Sequence, residues 1–344
     1  MVFTHSITSN HSIESVLPLT DGFNRVHNNL RISVTDRCNL RCIYCMPEDV
    51  TFMEKSELLT FEEIARFAQT AAKLGVNKLR LTGGEPLLRK DLHRLVELLT
   101  EIQGITDLGL TTNGLLLAQQ AVPLFQSGLH RLNLSLDTLD PERFETLSRR
   151  SGLELVLKGI EKAQAAGFQS IKINAVIIRG INEMDVVPLA RYGREHGLEM
   201  RYIEYMPIGA ESWERQKCYF AHEMMEQLEE AFGPLLPADD YDPRNPAMEF
   251  KFADGIGRIG MIASVSRPFC RSCNRLRLTA DGKLRNCLFA LAEEDVKPLL
   301  RSGTFRDQEL QAIIRRNVAS KWEGHEINSA RFIKPDRTMH AIGG

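Results

Sequence analysis

Seven cysteines are the residues whose type and spacing first suggest chemistry in this sequence. Six form two groups of three: Cys38, Cys42 and Cys45 as C-x3-C-x2-C, and Cys270, Cys273 and Cys287 as C-x2-C-x13-C. A zinc ion wants four protein ligands close together. After Cys45 the next histidine is His93 and the next cysteine Cys218, so the first group stops at three. A four-iron cluster ordinarily takes four thiolates, and three would leave one iron open to a small molecule. The second group is open to zinc as well as iron by spacing, although no histidine lies inside it to complete a zinc set. Cys218 stands alone and reads as a structural thiol, since a free cysteine often behaves as a small hydrophobe.

Three further patterns carry charge or backbone chemistry. Thr82-Gly83-Gly84-Glu85-Pro86 follows a strand-like stretch, where glycines permit unusual backbone angles and a proline starts the next helix. After Cys273, Arg275 and Arg277 alternate with Leu276 and Leu278, so in a strand the two arginines share one face. Two guanidiniums beside a cluster suit a polyphosphate, and a solvated strand face is the plainer alternative. Arg80 and Lys172 likewise alternate with aliphatic neighbours, and a charge inside a strand needs a wet lumen or a partner.

The elements that must position these residues follow a β-then-α rhythm. Strand-like stretches fall at 30–34, 78–81, 107–111, 131–136, 170–178 and 199–205. Amphipathic helical stretches, among them 61–74, 91–102 and 183–196, lie between them. Gly75, Gly128, Gly167 and Gly197 each stand where a helix would end. Such alternation implies parallel pairing through right-handed crossovers, in an open doubly wound sheet or a full or partial barrel. Either way the chemistry belongs to loops after the strands' carboxyl ends. The rhythm stops from Phe250 onward; a hairpin turn is expected at Asp281-Gly282, and helices at 293–300 and 307–319. Proline, aspartate and asparagine gather at 237–246, which puts a domain boundary near 240.

Composition excludes several classes. With 344 residues, 43% hydrophobic and 26% charged, the chain reads as an ordinary globular protein with room for two domains. No apolar run approaches the roughly 20 residues a membrane span requires. A net charge of −2 without a basic run argues against general nucleic-acid binding. Residues 1–28 form a polar leader for which no fixed structure is expected, without the apolar core of a signal peptide, and a cytoplasmic location is expected.

Together the motifs carry a resemblance. The first triad and the Thr82–Pro86 loop resemble the radical S-adenosylmethionine superfamily. Within it, the Cys270-x2-Cys273-Asn-Arg-Leu-Arg-Leu run, the later Cys287 and the final Gly343-Gly344 resemble the GTP 3′,8-cyclases that open molybdenum cofactor biosynthesis. The resemblance spans the chain from Asn29 onward. It implies an α/β fold: an incomplete (β/α)6 TIM-like barrel over 29–240, with a smaller C-terminal α+β cluster-binding domain over 241–344. It implies two [4Fe-4S] clusters, held by Cys38, Cys42 and Cys45 and by Cys270, Cys273 and Cys287. It further implies S-adenosyl-L-methionine bound by Tyr44, Gly84, Ser135 and Met206, and GTP bound by Arg31, Arg80, Thr111, Lys172, Arg275, Leu276 and Arg277. The partners implied are an electron donor such as flavodoxin or ferredoxin and a downstream cyclic pyranopterin monophosphate synthase; the assembly could be a homodimer. A peptide-modifying radical enzyme is the alternative within the superfamily, but such enzymes usually carry more C-terminal cysteines. A nucleic-acid-binding iron-sulfur or zinc module would need a basic helix, and none is visible.

Overall fold

The computed structural model describes residues 18–208, 213–242 and 244–344. Its plan follows from alternation within the strands. In β1 (Asn29–Ser33) Leu30 and Ile32 are fully buried on one face, while Asn29 and Arg31 are half-buried on the other. Next come β2 (Lys78–Thr82), β3 (Asp107–Thr112), β4 (Arg131–Ser135), β5 (Ile171–Ile177) and β6 (Glu199–Glu204), each parallel to the strand before it. These are the six expected strands, each end within one residue of its expected place.

Helices α1 (Phe61–Lys73), α2 (Leu92–Thr100), α3 (Leu117–Gln126), α4 (Pro141–Ser148), α5 (Leu153–Ala166) and α6 (Val186–His196) make the crossovers. Their apolar faces share one core with the outward strand residues, including Leu79, Leu110, Leu132 and Ile173. α1 starts sharply because Thr60 Oγ1 accepts from Glu63 N at 3.2 Å while Glu63 Oε2 accepts from Thr60 N at 2.8 Å. With the aliphatic face spent on helices, the polar face of every strand looks into a lumen.

After α7 (Ala221–Phe232) the chain adds β7 (Leu235–Pro237), β8 (Met248–Phe252), β9 (Arg258–Ile262), β10 (Arg275–Leu278), β11 (Lys283–Arg285) and β12 (Glu294–Asp295). β9 pairs in parallel with β6, and β10 in parallel with β1. The result is one 12-stranded sheet in the order β12-β11-β10-β1-β2-β3-β4-β5-β6-β9-β8-β7, whose end strands do not pair with each other. Residues 241–344 therefore build on both edges of the barrel sheet. Physically, the edges of β1 and β6 carry unpaired backbone groups that need partners, and β10 and β9 supply them. α8 (Lys297–Arg301), α9 (Asp307–Ala319) and α10 (Met339–Ile342) complete the C-terminal part.

Two expectations change in detail. The helix expected over 293–300 begins only at Lys297, because Glu294 and Asp295 pair with β11 first, and Pro298 sits in its opening turn. The hairpin between β10 and β11 turns at Gly282, φ +82°, as expected. Of the leader, 1–17 lie outside the described residues, whereas 18–28 are folded, with Thr20 bridging to Val26 and Leu19 and His27 buried. Among the described residues no helix is long and apolar enough to cross a membrane.

Candidate active site between two cysteine triads

Cys38, Cys42 and Cys45 lie in the loop leaving the carboxyl end of β1. The Gly83-Gly84 turn after β2 presses on the start of that loop. Gly84 N donates to Thr35 O and Glu85 N to Arg37 O, both at 2.7 Å. A Cβ on Gly84 would stand 2.4 Å from Arg37 O, and one on Gly83 2.5 Å from Thr35 O, so only glycine permits the contact. The glycines thus pin the cysteine loop. Behind them the buried Glu85 accepts from Thr112 Oγ1 at 2.7 Å, Leu87 N at 2.9 Å and Asn113 N at 2.7 Å. Asn113 Nδ2 in turn donates to Asn39 Oδ1 at 2.8 Å and Cys38 Sγ at 3.8 Å.

Burial pushes these thiols up, and nearby anions add to it. Cys38 rises to about 11 through burial and Glu85, and Cys45 to about 12 through burial and Cys38. Burial, Cys45 and Asp137 hold Cys42 far above its ordinary value. Asp137 itself is raised to about 6 by burial. It accepts from the Tyr44 hydroxyl at 2.6 Å and from Val176 N at 2.8 Å, closing a small cavity lined also by Cys42, Asn113 and Ser135. Of the four residues expected at the cofactor, Tyr44 and Ser135 meet in this cavity. Gly84 lies behind the cysteine loop, and Met206 packs half-buried into the apolar cluster that also touches Tyr44.

Below this loop the lumen divides electrically. On the β3 to β9 side its cations are paired: Arg131 with Asp107 at 2.6 Å, Lys172 with Glu199 at 2.7 Å, Arg201 with Glu199 at 2.5 Å and Glu249 at 2.6 Å. Lys172, expected at the substrate and in need of a wet lumen or a partner, has that partner in its neighbour on β6. On the other side, strand register sets Arg277 beside Arg31 and Arg31 beside Arg80. Arg275 lies two residues earlier on the same face, with its guanidinium 4.5 Å from the Phe269 ring centroid. Among the described residues none of these four arginines is ion-paired, and the buried Nε of Arg31 has no partner. Arg277 donates only to Gly343 O, at 2.6 Å. Burial and repulsion from neighbouring arginines lower Arg80 and Arg277 to about 9 and hold Arg31 well below its ordinary value. Uncompensated buried charge costs several kcal/mol, roughly, until an anion arrives. Thr111 faces the same lumen, in register with Asn133 and, through it, Lys172; the buried Oδ1 of Asn133 has no partner. Leu276 turns into the core, as the alternation requires, which leaves only its backbone for a ligand.

Cys273 precedes β10 and Cys287 follows β11. Since β10 is parallel to β1 and β11 antiparallel to β10, this triad lies at the amino end of β1, opposite the first. β1 spans roughly 13 Å at about 3.3 Å per residue. Here Cys273 meets cations: Arg275 Nη2 donates to its sulfur at 3.7 Å and Lys321 Nζ at 3.4 Å. Burial works to raise this thiol, but Arg275 and Lys321 outweigh it and bring it down to about 6. The Gly343-Gly344 pair lies at the other end, with a Cβ on Gly343 only 2.9 Å from Ser33 Cβ and Thr82 Oγ1 donating to Gly344 O at 3.0 Å. Glu85, Asn113, Asp137 and Lys321 were given no role by sequence reasoning; only Glu85 had a signal, its place in the glycine motif.

Each triad offers three thiols, the soft ligands iron-sulfur groups take, and each has a side chain donating to one sulfur, Asn113 at Cys38 and Lys321 at Cys273. By donor chemistry the residues present suit two such groups, although among the described residues no three metal-ligating side chains stand close enough together to form a preformed metal site. The solitary Cys218 is buried and donates to Tyr205 O at 3.0 Å, a structural thiol as expected.

Comparison with known proteins puts the two triads in two different family matches. Residues 32–193 match the radical SAM superfamily, and 198–327 match the family described as Molybdenum Cofactor Synthesis C. The GTP 3′,8-cyclase of Rhodopirellula baltica is 47% identical over 333 residues, covering 95% of this chain and 92% of its own. That of Streptomyces coelicolor is 41% identical, covering 97% and 98%. Among solved structures, Streptococcus suis SuiB bound to its precursor peptide SuiA superposes with a TM-score of 0.63 at 16% identity, over 85% of this chain and 68% of that one. Native anSMEcpe with bound AdoMet gives 0.58 at 16% identity, over 87% and 82%. These two share the fold, an incomplete barrel carrying a C-terminal extension. On the extent of its likeness to the curated cyclases, the chain belongs to the GTP 3′,8-cyclase family of radical SAM proteins.

Proposed function

We propose that this chain is a GTP 3′,8-cyclase acting at the first step of molybdenum cofactor biosynthesis. The observation that carries the reading is the row of four arginines, Arg275, Arg277, Arg31 and Arg80, without an ion pair among the described residues and set between two cysteine triads. Guanidiniums in this number match a triphosphate, whose oxygens accept paired N–H bonds. The first triad would hold a [4Fe-4S] cluster and S-adenosyl-L-methionine, which together would supply a 5′-deoxyadenosyl radical. That radical would take the 3′ hydrogen of GTP and leave as 5′-deoxyadenosine, the ribose C3′ would bond to guanine C8, and one further electron from the reductant with a proton would close the product as 3′,8-cyclo-7,8-dihydroguanosine 5′-triphosphate.

The chain's own residues bind, orient and exclude water. Tyr44, Gly84, Ser135 and Met206 hold the cofactor against the first triad. Arg31, Arg80, Arg275, Arg277, Thr111 and Lys172 hold GTP, with the backbone of Leu276. The second triad takes a second [4Fe-4S] cluster and meets the guanine end. Lys172 reaches the substrate by sharing Glu199, so it contributes less than the arginines. Holding the reacting carbon near its target is what such positioning gains. The catalytic barrel is assigned to 29–240 and the second-cluster region to 241–344. Flavodoxin or ferredoxin as reductant, a downstream cyclic pyranopterin monophosphate synthase, a homodimeric assembly and a cytoplasmic setting belong to the same reading.

The test is anaerobic incubation of the reconstituted protein with reductant, S-adenosyl-L-methionine and each nucleoside triphosphate in turn. GTP alone should give 5′-deoxyadenosine and a cyclised product together. Equal product from ATP, or none from GTP, would overturn the assignment.

A further inference from the structure

We propose that Lys321 is a positioning residue of the second cysteine triad, fixing Cys273 and biasing the iron-sulfur group held there toward its reduced state. The inference rests on the reading of that triad as a cluster site.

Lys321 follows α9 and is only 5% exposed. Its ammonium donates to Cys273 Sγ at 3.4 Å, Arg275 O at 2.9 Å and Asn286 O at 2.5 Å. These acceptors occupy all three N–H donors an ammonium has. One is a ligand sulfur and another is the carbonyl of the residue before Cys287, so a single side chain ties two of the three cysteines. Among the described residues Lys321 forms no ion pair with a carboxylate. A buried lysine without a carboxylate is costly unless a negative group faces it. The thiolate-bearing triad is that group.

The chain also keeps Lys321 from swinging away. Arg25 Nη1 donates to Cys270 O at 2.8 Å and Glu323 O at 2.7 Å, and Nη2 to Trp322 O at 2.6 Å. Arg25 is itself held by Asp21 at 2.6 Å, and Asp21 by His27 at 2.9 Å. A Cβ on Gly324 would lie 3.3 Å from Cys270 Cβ. Residues 321–324 therefore form a strap over the triad, with Lys321 at Cys273 and Gly324 at Cys270. Cluster potentials follow net charge, hydrogen bonds to sulfur and exposure. A fixed cation donating to a ligand sulfur favours the state with one more electron; that electron comes from the external reductant, no bond breaks and the ammonium keeps its protons.

The experiment uses the full chain, reconstituted anaerobically, with Cys38→Ala, Cys42→Ala and Cys45→Ala so that only the second triad carries iron. Redox titration followed by electron paramagnetic resonance gives the midpoint potential. Lys321→Gln should retain iron yet be at least tenfold less reduced at a fixed potential, about 59 mV for one electron. Lys321→Arg should restore most of the difference. An unchanged midpoint in Lys321→Gln with iron intact would overturn the proposal. Should Lys321→Gln lose its iron, proton hyperfine spectra of the reduced background protein and of Lys321→Arg in H2O and D2O decide. An exchangeable proton whose coupling changes between the two supports the lysine, and identical couplings overturn it. Failure of the cluster reading itself is recognised separately, as a background protein without iron at the second triad.

Discussion

At the carboxyl end of β1, Cys38, Cys42 and Cys45 lie near Glu85 and Asp137, and every thiol is pushed up; at the amino end, Cys273 lies between Arg275 and Lys321 and is brought down to about 6. The number of thiols is the same at both ends. Burial raises the first three thiols and Cys270 alike; what differs is Cys273, where Arg275 and Lys321 outweigh burial. Carboxyl groups suit a cationic sulfonium and amine, while the N–H donors at the second triad suit the acceptor atoms of guanine and lead into the arginine row that suits the phosphates. Ligand count therefore identifies the kind of inorganic group, while the neighbouring side chains assign its task. The lumen between repeats the lesson on a smaller scale, with arginines unpaired on β10, β1 and β2 and cations neutralised from β3 to β9.

The strongest way to break the comparison is at Gly84. A methyl group there would meet Arg37 O at 2.4 Å and Asp36 O at 2.5 Å, so Gly84→Ala must displace the first cysteine loop alone. The expected result is loss of first-cluster iron and of cofactor cleavage, with the second cluster retained. Iron analysis and product assay on the purified variant check it, and loss of both clusters would mean that the two ends are not independent.

A smaller effect separates the two halves of the lumen. Arg275→Ala or Arg277→Ala should each weaken GTP binding by about 1.5 to 3 kcal/mol, the loss of a charge-assisted contact. Lys172→Met should cost less, about 0.5 to 1.5 kcal/mol, because Glu199 already engages the ammonium. Calorimetric titration ranks the three, and a Lys172 effect equal to the arginines' would dissolve the distinction. The smallest effect on affinity is expected from removing Gly343 and Gly344. GTP binding should stay close to that of the full chain, while the ratio of cyclised product to 5′-deoxyadenosine falls, because the tail packs on Ser33 and Thr82 rather than on the cation row alone. An unchanged ratio over an anaerobic time course would make the tail a mere terminus.

Much of this was legible in sequence because it was local. Alternation in Lys78–Leu81 and Ile171–Ile173 announced both the strands and the inward charges, and a glycine after α1, α3, α5 and α6 marked that the next strand is near. The contacts that distinguish the triads were not legible, because they join distant segments. Lys321 reaches Cys273 and Arg25 reaches Cys270 only after β10 pairs with β1, and no local pattern announces that pairing. The same pairing explains why 241–344, although read as a smaller separate unit, continues the barrel sheet. The engagement of Lys172 was also hidden, since Glu199 becomes its neighbour only through the register of β5 and β6.

The most direct test of the central claim compares Cys42→Ala with Cys273→Ala, each reconstituted anaerobically and given reductant, S-adenosyl-L-methionine and GTP. With the fold verified by circular dichroism, Cys42→Ala should form no 5′-deoxyadenosine, whereas Cys273→Ala should form some but no cyclised product. Equal loss of 5′-deoxyadenosine in both variants would contradict the division of labour between the two triads.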